Sequence, residues 1–227
     1  VMEKKRVVIT GLGAITPIGN NVKAYWDGLL AGKSGGGLIT FFDTSAYSSR
    51  IAAEVKNYNP EDYFDKKEVK RIERFCQFAL IAALEAIADS GINLEQEDLN
   101  NIGVQIGVGI GSIGLTEEQN QVLVTKGPSR VSPLLIPKMI PNMASGMVAI
   151  DKGLKGPNSC TVTACASGTN AIGDAFKIIQ RGDALCMVTG GAEATITPLS
   201  LAGFDNMRAI TRRNDAPDKA SRPFDKD

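Results

Sequence analysis

"NSCTVTACASGTNAIGDAFKIIQRG", residues 158–182, decides the fold. Its opening is β-branched and polar-apolar mixed, and reads as a strand over residues 158–164. From residue 166 on, "ASGTNAIGDAFKIIQRG" reads as a helix, and Gly182 supplies the stop. The joint between the two holds Cys165, flanked by the small residues Ala164, Ala166, Ser167 and Gly168. A strand that feeds straight into a helix is half of a βαβ unit. The following "ALCMVTGGAE", residues 184–193, supplies the second strand.

Working outward, "RVVIT" (6–10) is a continuous β-branched run of the kind buried on both faces of a sheet, and "NIGVQIGVG" (101–109) reads as a second buried strand. Between them "NVKAYWDGLLAG" reads as a short helix capped by Asn20 or Asn21, and "RIAAEV" as a short strand. Residues 68–90 read as one long helix with a stripe of Val69, Ile72, Phe75, Ala79, Ala82 and Ala86, ended by Gly91. Residues 115–124 read as helical, and "NMASGMVAIDKG" as a helix capped by Asn142 and closed by Gly153. The four prolines of "KGPSRVSPLLIPKMIP" predict an extended connector. The alternation predicts an α/β protein: a mostly parallel sheet with helices on both faces, as a single domain over residues 1–227. Such sheets bind ligands at the carboxyl ends of their strands, where Cys165 falls.

Composition narrows the function classes. Lys plus Arg and Asp plus Glu number 25 each, so global charge gives no reason to expect nucleic acid or an anionic membrane as partner. The most apolar stretch, residues 78–88, falls well short of the ~20 residues of a membrane span and contains Glu85. The start shows neither a long apolar signal region nor an Arg/Ser-rich transit sequence. A cytoplasmic protein is expected. Four cysteines without secretory context predict reduced thiols. The chain has no histidine, and the five-residue spacing of Cys160 and Cys165 fits no zinc motif, so no metal and no cofactor is expected.

Three features bear on chemistry. "GIGSIG" (109–114) fits G-x-G-x-x-G after a strand, but no Asp or Glu lies between Glu118 and Asp151 to hold a ribose. Tight backbone turns are the better reading of these glycines. Cys165 stands at a strand-to-helix joint, where the helix N-terminus favours a thiolate and small neighbours leave room for substrate. Its backbone N–H is also placed to donate to a developing oxyanion. From these local features a nucleophile and a buried structural cysteine both stay open, whereas Cys76, Cys160 and Cys186 read as structural. Finally, "DKKEVKRIER" (65–74) groups Lys66, Lys67, Lys70, Arg71 and Arg74, and the connector adds Lys126, Arg130 and Lys138. This is either a solvated helix face or a basic surface for an acidic partner.

Taken together, "RVVITGLGAITPIGN", "FDTSAY", "KGPNSCTVTACASGTNAIGDAF", "GGAEATITPLSLAGF" and "ASRPFDKD" resemble the type II β-ketoacyl-acyl-carrier-protein synthases. These are elongating condensing enzymes of dissociated fatty acid synthesis, with the thiolase fold. The resemblance runs in order from Arg6 to the last residue. It implies that Cys165 takes the acyl chain as a thioester, and that Ile110 and Phe204 line the acyl pocket. It also implies that an acidic acyl carrier protein docks on Lys67, Lys70 and Arg71, with Arg130 and Arg208 as further contacts. A homodimer joined through the strand holding "SCTVT" is implied as well, as is a bacterial-type cytoplasmic setting or, had a transit peptide been removed, the plastid stroma.

The resemblance further implies two histidines and a lysine, supplied by a second half of the fold that this sequence does not contain. Condensation by these 227 residues alone is therefore not expected. The competing expectation is a non-catalytic scaffold of the same descent that binds acyl carriers or dimerises.

Overall fold

A computed structural model describes residues 5–226. They group into two compact units: residues through Gly13 with Pro60–Ala194, and Ala14–Asn59 with the chain from Thr195 on.

The second unit carries α1 (Val22–Leu30), β1 (Gly37–Leu38) and β2 (Ile51–Ala52). Asn21 caps α1 by accepting the Ala24 N–H at 2.8 Å, as its position before the apolar run predicts. β1 and β2 pair antiparallel. Residues 48–50 are tied to residues 205–214 through Asp205, which accepts the Ser48 N–H at 3.2 Å and the Arg212 Nε–H at 2.8 Å. Loss of hydration pushes the Asp205 carboxyl up, but the Arg212 and Ser49 hydrogen bonds and the Arg212 charge outweigh it and leave the group lowered.

The first unit holds α2 (Lys66–Arg71), α3 (Arg74–Ser90), β3 (Ile102–Gly107), α4 (Ile113–Lys126), α5 (Leu135–Met139) and α6 (Met143–Lys152). β4 (Asn158–Ser159), α7 (Ser167–Arg181) and β5 (Cys186–Gly191) complete it, and α8 (Pro198–Asn206) lies in the second unit. β3 is the middle of a parallel sheet of order β4-β3-β5, with Ile102 opposite Cys186 and Gly107 opposite Gly191. Every residue of β3 is buried, Gln105 included, as expected for a strand covered on both faces. Gln105 and Gly107 face α7, while α3 and α6 pack on the sheet with Phe75, Leu80, Ala144 and Val148 in the core. Buried Ser145 of α6 accepts the Ile106 N–H and donates to the Ser159 carbonyl, knitting helix to sheet where apolar packing alone would leave both backbone groups unpaired. The predicted α/β class, with a parallel sheet and helices, is what the chain adopts. No helix among the described residues is long and apolar enough to cross a membrane.

Four elements depart from expectation. Of the strand read over residues 158–164, only Asn158–Ser159 form β4, and residues 164–166 are a 3₁₀ turn. Residues 6–10 form no strand: among the described residues they join no ladder, and Ile9 is 80% exposed. Their course is set by α3 instead. A β-carbon on Gly13 would lie 1.8 Å from the Ala82 carbonyl oxygen, and the Leu12 N–H donates to Asp89 at 2.8 Å. The single helix predicted over 68–90 is two, broken at Ile72, which is extended at φ −117°, ψ 134°. The break is tertiary in origin. Lys138 Nζ reaches the Lys70 carbonyl at 3.1 Å and the Glu73 carboxylate at 2.8 Å, and the Ser112 hydroxyl donates to Glu73 at 2.8 Å. Lastly, the proline connector contains α5 and a 3₁₀ turn over Pro128–Arg130. Pro137 is tolerated because it sits in the first turn of α5, whose N–H groups have no helical acceptor.

Candidate active site

The site is built on the turn that enters α7. Residues 164–166 form a 3₁₀ turn, and Ala164 has φ +52°, a left-handed conformation uncommon for a residue with a β-carbon. Ser167 holds that turn closed. Its hydroxyl accepts the Thr163 N–H at 2.9 Å and donates to the Ala164 carbonyl at 2.6 Å. Cys165 follows the left-handed residue and is exposed, one residue before the cap of α7. The buried-cysteine alternative for this residue is thereby removed. A strained elbow that lifts one side chain at a helix N-terminus is the geometry of nucleophile turns in other α/β folds.

Close backbone packing brings the elbow onto the sheet. A β-carbon on Gly107 would lie 2.1 Å from the Ser167 carbonyl oxygen, and one on Gly191 would lie 2.8 Å from Gly168 Cα. Glycine at the ends of β3 and β5 is what lets α7 start directly above them. Below the turn, Thr161 donates to Asp174 of α7 at 2.8 Å and accepts from the Gln105 amide at 2.6 Å. Ser159 also donates to Gln105.

The other three thiols differ in kind. Burial pushes Cys76 up to about 12, with Glu73 adding to the rise. Burial likewise raises Cys160 and Cys186. With iodoacetamide at neutral pH, Cys165 is expected to be alkylated roughly tenfold or more faster than any of them, since only an accessible thiolate reacts. Peptide mapping over a time course checks this, and equal rates for Cys165 and Cys186 would contradict it.

The remaining expected site residues separate into groups. Ile110 lies in the loop after β3 and is 43% exposed. Lys67, Lys70 and Arg71 are exposed on α2, whose N-terminus Asp65 caps by accepting the Lys67 and Glu68 N–H groups at 2.7 and 2.8 Å. Arg130 is exposed on the 3₁₀ turn before α5. Lys138 is not a free cation of that surface, being the half-buried partner of Glu73. Phe204 and Arg208 belong to the second unit, Phe204 within α8 and Arg208 beyond its end in a left-handed conformation at φ +57°.

One residue escaped the sequence reading. Glu193, two positions past β5, accepts the N–H groups of Gly109 at 3.0 Å, Ile110 at 2.8 Å and Gly111 at 3.3 Å. The glycine loop that mimics a nucleotide fingerprint is thus a nest of N–H donors filled by a carboxylate of the same chain. Its only signal is the acid closing "GGAE", 82 positions beyond Gly111.

The family profile described as "Beta-ketoacyl synthase, N-terminal domain" matches residues 4–227. The chain belongs to the β-ketoacyl synthase family. Among curated relatives, it is 56% identical over 226 residues to a protein of Synechocystis sp. named 3-oxoacyl-[acyl-carrier-protein] synthase 2, covering 100% of this chain and 54% of that one. It is 52% identical over 222 residues to a protein of the same name from Staphylococcus aureus, covering 98% of this chain and 53% of that one. Among solved structures, a β-ketoacyl synthase from Burkholderia phymatum superposes with a TM-score of 0.85 at 30% identity, covering 97% of this chain and 54% of that one. The β-ketoacyl synthase chain described above therefore spans about half the length of the curated relatives it matches.

Proposed function

We propose that this domain is the acyl-accepting half of a 3-oxoacyl-acyl-carrier-protein synthase of fatty acid biosynthesis, with Cys165 as the nucleophile. The observation that carries the reading is the exposed thiol on a strained elbow at the start of α7, in a chain 56% identical to a relative bearing that name.

The chemistry proposed has two stages. The Cys165 thiolate attacks the thioester carbonyl of an acyl carrier, and the tetrahedral oxyanion takes a hydrogen bond from the Cys165 backbone N–H. The carbon–sulfur bond to the carrier breaks, and the carrier sulfur leaves as a thiolate that takes up a proton. The acyl chain is then held on Cys165, with Ile110 of the same unit lining its path. Malonyl carrier next loses CO2, and its enolate carbon attacks the acyl-cysteine carbonyl. The Cys165 thiolate departs, and a β-ketoacyl carrier two carbons longer is released. That second stage develops negative charge on the malonyl carbonyl and needs cationic or N–H donors around it. A histidine-free chain cannot supply paired imidazoles. The 227 residues alone are expected to accept acyl groups but form no β-ketoacyl product, whereas the complete polypeptide encoded by the gene forms it. Product from the 227 residues, detected by mass spectrometry, would overturn the division of labour proposed.

The partner is an acyl carrier protein, in acyl and malonyl forms. Exposed Lys67, Lys70 and Arg71 on α2, with exposed Arg130 in the same unit, suit an acidic carrier surface, and exposed Arg208 of the second unit is a separate candidate. Reversing charge as Lys67→Glu with Lys70→Glu is expected to raise the carrier KM by roughly tenfold with little change in kcat, and to flatten its salt dependence. An unchanged KM would remove α2 from the docking surface. The protein acts as a homodimer in the bacterial cytoplasm, a setting supported by the bacterial sources of its relatives. Sedimentation of the complete polypeptide tests the dimer.

A further inference from the structure

We propose that Glu193 is a positioning residue for acyl transfer: its carboxylate locks the Gly109–Ile110–Gly111 loop against the Cys165 elbow and so fixes where the acyl chain runs. The inference rests on the function proposed above and assigns a role to a side chain that never touches the reacting atoms.

The geometry is specific. Three consecutive N–H groups converge on one carboxylate, two on Oε2 and the third on Oε1. An ionised acceptor makes such bonds about twice as strong as neutral ones. The same loop abuts the elbow: a β-carbon on Gly109 would meet Glu193 Oε2 at 3.1 Å and the Ala164 carbonyl oxygen at 3.2 Å. Ala164 precedes Cys165, and Ile110 sits between the two glycines. Gly111, at φ +82°, turns the chain away into α4, whose cap Ser112 donates to Glu73. Glu193 thus joins the ends of β3 and β5 across the mouth of the sheet. Without it, a loop containing two glycines has no side-chain anchor at the point where its one large side chain meets the acyl path.

The nest also gives the test its signature, because an emptied nest of N–H donors binds a small free anion. Acylation of Cys165 is measured in the complete polypeptide, with carrier-bound acyl chains of short, medium and long length. Glu193→Ala is compared with Glu193→Gln, which keeps the shape and loses the charge. Alkylation of Cys165 by iodoacetamide reports the thiol without an acyl chain.

Glu193→Ala is expected to slow acylation by on the order of 10- to 100-fold, with factors that differ among chain lengths. Alkylation should stay within about twofold of the parent rate, and added formate should restore part of the loss. Glu193→Gln should fall between, and it carries the same comparison should the alanine variant fail to fold. An equal loss at every chain length without formate rescue would make Glu193 a fold element only and overturn the proposal, as would an unchanged chain-length profile. Failure of the parent polypeptide to acylate Cys165 with any donor would instead overturn the proposed function, and this inference with it.

Discussion

Cys165→Ala is expected to abolish acyl transfer, with a loss of at least ~10⁴-fold, because no other group on the elbow can form the thioester. The fold should not notice. The thiol is exposed and makes no core contact, so the thermal midpoint of the variant is expected to match the parent. Cys165→Ser is the sharper comparison. It keeps size and position but replaces the sulfur nucleophile with a much weaker hydroxyl one, and it should fall nearly as low. Transfer of a labelled acyl chain from its carrier measures both. A variant retaining more than a tenth of the parent rate would point to a different acceptor.

Gly107→Ala should be among the most damaging single methyls in the first unit. The new carbon would sit 2.1 Å from the Ser167 carbonyl oxygen and 2.7 Å from the Gly168 nitrogen. Both are backbone atoms of the first turn of α7 and cannot rotate away. Either the end of β3 or the start of α7 must move, and β3 is the fully buried centre of the sheet. Overpacking of this kind costs about 3 kcal/mol or more where no flexible side chain can yield. A displaced α7 also carries the elbow with it, so acylation should fall by on the order of 10²-fold even in molecules that remain folded. Gly173→Ala, within α7 but with nothing within 4 Å of the added carbon, is the control. It should stabilise by up to about 1 kcal/mol, through helix propensity alone. Denaturant midpoints of the two variants give the comparison, and similar midpoints would refute the close-packing argument.

Local patterns carried a good part of this fold into the sequence. The stops at Gly91, Gly153 and Gly182 were readable because each adopts the left-handed conformation that closes a helix. Asn21 was readable as a cap because it precedes an amphipathic run. The buried course of β3 was readable from its mostly apolar composition, interrupted only by Gln105.

What stayed hidden depends on partners far along the chain. The break at Ile72 comes from Lys138 and Ser112, neither of which leaves a mark within residues 65–75. α5 escaped because proline count alone does not distinguish a connector from the first turn of a helix. Residues 6–10 look like a strand by composition, yet a strand exists only through a neighbour. Within the site, the elbow position of Cys165 was legible from its small neighbours and the strand-to-helix switch. The Glu193 nest was not, since its donors lie 82 to 84 residues away.

The central claim is that Cys165 takes an acyl group from a carrier thioester. It is tested most directly by incubating the complete polypeptide with an acyl-loaded acyl carrier protein, quenching in acid and sequencing the peptides by mass spectrometry. The acyl mass is predicted on Cys165 and on none of Cys76, Cys160 and Cys186, with one free carrier thiol released for each acyl group bound. An adduct on another cysteine, or carrier thiol released with no adduct on Cys165, would contradict the account.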